Sequence, residues 1–364
     1  MNKGLYPNGL NHHRSLKFQK LRNLISKNQN KIKIEGLYGS SLSFLLIDIF
    51  LSTDRQVFYL SNSKENASYT YTDITEFIGN ENCNLLPSNY RNYKNKIKDE
   101  SNILNRTKTI RDIAEKKTKI IISYPEAIFE KIPNERAIKD KSIDIKIGQE
   151  LELNNVNEKL FELNFEKDDY VQQPGDFAIR GNILDVFSYA YTNPLRFEFD
   201  DNIIESIREF NIDTQYSVKE IKSAKITPDI SNQNLIVRGD SIVNIIDSDA
   251  LIFVEEIDSI KKSLYENYIA NKNDYSDKLF VQELKEKKLI SVNNFSKQND
   301  LKFDIIQQPS FNKRFELLND DLQKHSKNNY KINIYFSNKE QSDRFEQILS
   351  KFNYNYEFKS IIKP

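Results

Sequence analysis

Residues 33–50, KIEGLYGSSLSFLLIDIF, decide how the rest of the chain is read. The run KIKI before Gly36 reads as a strand. Gly36-Leu-Tyr-Gly39 interrupts it, and SLSFLLIDIFLS that follows reads as a buried helix. Strand, glycine loop and helix in that order form the layout of a phosphate-binding loop. RQVFYLS (Arg55–Ser61) is a second strand, which makes the whole segment a βαβ unit. A working loop of this kind needs Gly-x-x-x-x-Gly-Lys-Ser/Thr, with glycines to wrap backbone amides around phosphate and a lysine to reach its terminal oxygens. Aligned on Gly36, the second glycine is Ser41, the lysine is Leu42, and only the hydroxyl, Ser43, remains. The loop is expected to turn the chain at Gly36 and Gly39 without holding phosphate. The nearest thing to a paired-carboxylate Walker B box, FVEEID (253–258), follows a strand in the wrong half of the chain. ATP and magnesium are therefore not expected here.

Outward from this unit, residues 14–29 place Leu16, Leu21, Leu24 and Ile25 at helical spacing, and 99–117 suit another helix. Ile120–Ser123 is a strand, and Pro125 starts a short helix after it. The texture changes near residue 142. DDYVQQPGDFAIRGNILDVF and PLRFEFDDNIIESIREF are short strands, separated by turn signals at Pro174-Gly175-Asp176, Gly181-Asn182, Thr192-Asn193-Pro194 and Asp200-Asp201-Asn202. In IIESIREF (203–210) apolar and polar residues alternate only partially. From about residue 229 the α/β pattern returns. ALIFVEE, KFDII and KINIYFS read as strands, and SIKKSLYENYIA, KLFVQELKEKK, NKRFELLNDDLQKH and NKEQSDRFEQILSK as helices. The fold class is α/β. A helicase-like, degenerate phosphate-loop domain (1–140 and 229–364) with a parallel sheet is split by a small antiparallel β-rich α+β module (141–228).

The chain has 364 residues, with 53 Lys plus Arg against 53 Asp plus Glu. No global basic field attracts nucleic acid, so any such contact is local. A single cysteine, Cys83, excludes an internal disulfide framework and a thiolate zinc site. No apolar run approaches 18 residues and no signal-peptide pattern opens the chain, which points to a cytoplasmic protein. His12-His13 and the distant His325 lack metal-ligand spacing. NYRNYKNKIK (Asn89–Lys98) interleaves tyrosine with basic residues, but reads as a solvated connection rather than a nucleic-acid clamp.

The module carries the more informative chemistry. Arg180 precedes the Gly181 turn, and Arg196 lies on the next predicted strand. Neighbouring strands of one small sheet can present both from one face. Arginine beside aromatics is typical of interface anchors. Pairing with Asp185 or Glu198 as ordinary surface ion pairs is the other reading, and spacing leaves both open.

Together, PGDFAIRGNILDVF and PLRFEFDDNIIESIREFNIDTQYS resemble the module shared by the excision-repair subunit UvrB and the transcription-repair coupling factors. The matching positions include Pro174, Gly175, Phe177, Arg180, Gly181, Asp185, Phe187, Pro194, Arg196, Glu198, Phe199, Glu205, Ser206, Arg208, Phe210, Thr214, Gln215 and Ser217. The degenerate loop GLYGSSLS, with IIISYPEAIFEKIP and PSFNKRFELLNDDL, is similar to the coupling factors rather than to UvrB, which keeps a complete loop. The resemblance implies a non-catalytic N-terminal region that binds UvrA and recruits it to stalled RNA polymerase in transcription-coupled DNA repair. It implies Arg180, Arg196, Arg208 and Phe199 as contact positions. It also implies that RNA polymerase binding, DNA contact and ATP-driven translocation belong to family domains beyond Pro364. Asp200 stands where the family has an aromatic contact, and Asn182 and Ser188 also depart from the pattern. A nucleotide- and DNA-binding UvrB-like or translocase ATPase, and a truncated structural remnant, are the alternative readings.

Overall fold

Ile32 and Ile34 are buried while Lys31 and Lys33 are exposed, so one face of the first strand packs inward and the lysines stay in water. The computed structural model describes residues 15–27, 29–92, 97–117, 119–133, 142–230, 239–271, 275–293, 298–352 and 355–362. His12 and His13 lie outside the described residues, as does the middle of NYRNYKNKIK.

The first part of the chain runs α1 (Leu16–Ser26), β1 (Lys31–Glu35), α2 (Ser40–Thr53), β2 (Val57–Leu60), α3 (Lys64–Ile78), β3 (Cys83–Leu85), α4 (Glu100–Ala114) and β4 (Ile120–Ser123). Ser63 and Asp99 cap α3 and α4, their side chains accepting from the amides of Asn66 and Asn102. The module follows: β5 (Ile143–Lys146), α5 (Leu153–Glu162), β6 (Glu166–Lys167), β7 (Asp176–Arg180), β8 (Ile183–Val186), β9 (Leu195–Asp200), β10 (Ile203–Phe210), β11 (Ser217–Glu220) and β12 (Ser223–Ile226). The chain then returns through β13 (Leu251–Glu255), α6 (Ile257–Asn271), α7 (Asp277–Glu283), β14 (Lys288–Val292) and β15 (Leu301–Lys302).

A seven-stranded sheet has the order β15-β1-β14-β13-β2-β4-β3, and every pair in it is parallel. All four residues of β2 and all four of β4 are buried, as expected of strands covered on both faces. Leu21 of α1, Leu45 and Ile49 of α2 and Ile74 of α3 pack in one apolar cluster with β1. Ile110 and Ile113 of α4, Ile260 and Leu264 of α6 and Phe280 of α7 pack in a second cluster. The strand β14 sits beside β1 near the middle of the sheet, although its run KLISV carries no turn signal before it and follows a lysine-rich helix. The expected strand KFDII is shorter than its apolar pattern suggests. Only Leu301 and Lys302 pair with β1, and the Phe303 amide donates to the Glu35 carbonyl at 2.7 Å.

The module has its own six-stranded sheet, β11-β10-β9-β8-β7-β6, antiparallel except where β6 meets β7. Its core holds Phe177, Leu184, Val186, Leu195, Phe197, Ile204 and Ile207, with Val156 and Leu160 of α5 against them. The first and last strands, β5 and β12, pair antiparallel with each other. Entry and exit are thereby held side by side, which lets an insertion interrupt a domain without spreading its ends. Buried Ser188 ties this neck, its Oγ accepting from the Thr227 amide at 2.9 Å.

Residues 307–364 form a separate unit, in which β16 (Ile332–Phe336) and β17 (Phe358–Ile362) pair parallel and α8 (Phe315–Lys327) and α9 (Lys339–Leu349) accompany them. The sequence reading carried the resumed α/β domain through residue 364. Among the described residues, the last strand of the large sheet ends with Lys302, and β16 and β17 pair with each other. No helix among the described residues is long and apolar enough to cross a membrane.

Candidate functional site

Two places have the residues to act. The first is the carboxyl edge of the parallel sheet, where β1, β14, β13 and β2 all end. Gly36 has φ of 84°, and a Cβ there would meet the Phe303 carbonyl oxygen at 1.9 Å, so only glycine fits this turn. The amides of residues 36–38 already have acceptors. Gly36 and Leu37 both donate to the Asn293 side-chain oxygen at 3.1 Å, and Tyr38 donates to Ser41 Oγ at 3.0 Å. Ser41 Oγ donates in turn to the Tyr38 carbonyl at 2.7 Å. Leu42 is buried in the core against α1 and β1, and Ser43 is buried with its hydroxyl donating to Asp73 at 3.0 Å. Gly39, with φ of 55°, begins α2 without a side-chain cap.

FVEEID lies on this same edge. The sequence reading set its carboxylates aside as belonging to the wrong half of the chain. In the fold β13 lies two places from β1, with β14 between, and the inserted module accounts for much of the sequence separation. Glu255 Oε2 accepts from the Tyr59 hydroxyl at 2.8 Å, Ser61 Oγ at 3.1 Å and the Asn62 amide at 3.3 Å. Glu256 accepts from the Asn62 side chain at 3.0 Å. Burial, with the Glu255 charge beside it, pushes the Tyr59 phenol well above its ordinary value, so it stays a donor.

The second place is one face of the module sheet. The register sets Ala178, Asp185, Arg196 and Arg208 opposite one another across β7 to β10. Arg180, Ile183, Glu198 and Ser206 form the next row of the same face. Asp185, only 2% exposed at its side chain, holds two guanidiniums. Arg196 grips it bidentately, Nε to Oδ1 at 2.7 Å and Nη2 to Oδ2 at 2.8 Å, while Arg180 Nη2 bonds to Oδ2. Arg196 Nη2 also donates to Gln215 at 3.1 Å, and its guanidinium lies 4.4 Å above the buried Phe210 ring. The hydrogen bonds and charge of Asp185 raise the Arg196 pKa further, so its charge is permanent. Arg208 pairs with Glu198, which also accepts from Ser206 Oγ at 2.6 Å. Among the described residues no cluster of His, Cys, Asp and Glu is arranged to hold a metal.

A family model described as UvrB interaction domain matches residues 143–231, from β5 past the end of β12. The module is similar to UvrB interaction domains over that span. The chain is 26% identical over 274 residues to the transcription-repair-coupling factor of Bacillus subtilis, covering 73% of this chain and 23% of that protein. The corresponding factor of Staphylococcus haemolyticus is 24% identical, over 58% of this chain and 18% of its own length. UvrABC system protein B of Clostridium beijerinckii is 26% identical, over 57% of this chain and 34% of its own length. The chain thus spans about a third or less of these relatives, and it is a region homologous to the coupling factors and UvrB.

Within the matched module, the structure brings Arg180, Arg196 and Arg208 to one face; strand positions suggest this for Arg180 and Arg196. It does not bring Phe199 there. Phe199 shares the inward parity of Leu195 and Phe197 on β9 and is buried in the module core with Ile204 opposite it. Asp200 is exposed at the β9–β10 turn, next to Asp201 with φ of 52°. Sequence reasoning missed Gln215 and Tyr170 as partners of the arginines. Gln215 was visible only as a pattern match, and Tyr170 preceded the first recognised turn.

Proposed function

We propose that this chain is a non-catalytic binding region that docks UvrA through the Arg180–Arg196–Arg208 face. In this reading the whole protein uses it to recruit UvrA to stalled RNA polymerase in transcription-coupled DNA repair. The observation that carries the reading is Asp185: one buried carboxylate fixes two guanidiniums side by side on a module similar to UvrB interaction domains. Such pre-set arginines lose little side-chain entropy on binding and present their positive charge to an acidic or carbonyl-rich surface. Contacts with RNA polymerase and DNA, and ATP-driven translocation, are assigned to the whole protein rather than to this face.

The residues of the glycine loop do not fit a magnesium nucleotide. Leu42 places a core side chain where the lysine charge is needed, Asn293 and Ser41 take the amides of Gly36, Leu37 and Tyr38, and Ser43 is committed to Asp73. These contacts support the reading that the loop serves the fold. The test is capture of UvrA by the wild-type chain and by Arg180→Ala/Arg196→Ala, with thermal unfolding in millimolar MgATP alongside. The expected result is capture by the wild type alone and no nucleotide-dependent stabilisation. Equal capture by both proteins removes the arginines from the function, and a clear upward shift with MgATP reinstates the ATPase reading.

A further inference from the structure

We infer that Tyr170 is the aromatic anchor of the docking face, supplying from the β6–β7 connection the ring that Asp200 does not provide at the β9–β10 turn. The inference rests on the UvrA-docking reading above. Tyr170 is 61% exposed, and the Arg180 guanidinium lies 4.8 Å from its ring centroid. Its backbone is fixed on both sides. The Asp169 carbonyl accepts from Arg180 Nη1 at 3.3 Å, and the Asp168 amide donates to the Phe177 carbonyl at 2.9 Å. Val171 is buried with Ala178 and Phe187, and Asp176 Oδ2 accepts from the amides of Gln172 at 3.0 Å and Gln173 at 2.9 Å.

An exposed aromatic on a held backbone has little freedom to lose when a partner covers it. Its stacking on Arg180, which bonds to the same Asp185 as Arg196, joins ring and guanidiniums in one continuous surface. A shallow hollow of about 580 Å³ lined by Lys167, Asp168, Tyr170, Ile179 and Arg180 opens beside it. The surface therefore combines what interface hot spots use: an aromatic, an arginine stacked on it, and a concavity for the partner's side chain. Asp200, by contrast, adds a charge at an exposed turn and no apolar area.

The experiment titrates wild-type chain, Tyr170→Ala, Tyr170→Phe and Arg196→Ala against immobilised UvrA, with thermal unfolding of each. The expected result is a Kd raised about tenfold or more by Tyr170→Ala and within about threefold of wild type for Tyr170→Phe, since the ring is what stacks. Melting of Tyr170→Ala should match wild type, because the ring is mostly in water. If Tyr170→Ala binds within about twofold of wild type while Arg196→Ala loses binding, the anchor is overturned and the docking reading stands. If the wild-type chain itself does not bind UvrA, the docking reading falls and the anchor falls with it.

Discussion

Asp185→Asn should weaken the fold and the docking face together, although Asp185 is too buried to touch a partner. The carboxylate is 2% exposed and faces Arg196, 15% exposed, and Arg180, 34% exposed. At an effective dielectric of about 20, two charges about 4 Å apart attract by about 4 kcal/mol before desolvation is counted. The Arg196 pair is bidentate and nearly dry, so most of its attraction survives, whereas that of Arg180 is screened by water. Asparagine keeps the shape but offers one acceptor where two guanidiniums converge, and it leaves them repelling each other. Removing one member of a buried pair costs roughly 3–5 kcal/mol when every partner is buried. Scaled for the exposure of Arg180, the expected loss is about 2–4 kcal/mol, read from urea unfolding at pH 7. A second arm compares Asp185→Asn in wild-type and Arg196→Met backgrounds. The cost should fall by at least about 1 kcal/mol when Arg196 is absent. Stability within about 0.5 kcal/mol of wild type, or a cost indifferent to Arg196, would refute the view that Asp185 organises the face.

Other perturbations test the rest of the molecule. Gly36→Ala forces a side chain to within 1.9 Å of the Phe303 carbonyl at a φ of 84°, and should lower stability by about 3 kcal/mol or more in denaturant melts. A fold unaffected by it would show that the loop can open, as a nucleotide site requires. Burial alone would raise the Asp112 carboxyl. Hydrogen bonds from Lys119 and Asn84, with the charges of Lys119 and Lys117, outweigh it and hold the group at about 2 against an ordinary 3.8. A depressed carboxylate contributes above its unfolded value and loses that contribution as pH falls through the folded one. Lys119→Met should therefore cost about 1–2 kcal/mol at pH 7, allowing for partial solvent screening, with the difference shrinking as pH drops from about 4 towards 2. A cost independent of pH would show that Lys119 acts through packing alone.

Glycines, the missing lysine and the apolar runs were enough to read a βαβ unit with a degenerate loop, because helix and strand periodicity and turn chemistry are local. The change of texture near residue 142 and the turn signals after it exposed the module for the same reason. Partial alternation in IIESIREF looked like a weak strand signal. Its cause is a bulge: Glu198 pairs with Ser206 and Phe199 with Ile204, so Glu205 is left over and the inward parity shifts there.

Pairing across the chain was beyond the sequence. It showed FVEEID but could not place it beside the glycine loop, since strand order in a parallel sheet depends on crossovers rather than on neighbours. Nor could it show that the ion pairs of Arg180 and Arg196 converge on one buried carboxylate, Asp185. Residue types alone determined that the loop lacks its lysine and that arginines punctuate the module. Only the tertiary structure decided that Asn293 fills the loop and that Tyr170 stacks on Arg180. Each of those depends on residues brought together by the sheets, where register and burial rather than local pattern set the outcome.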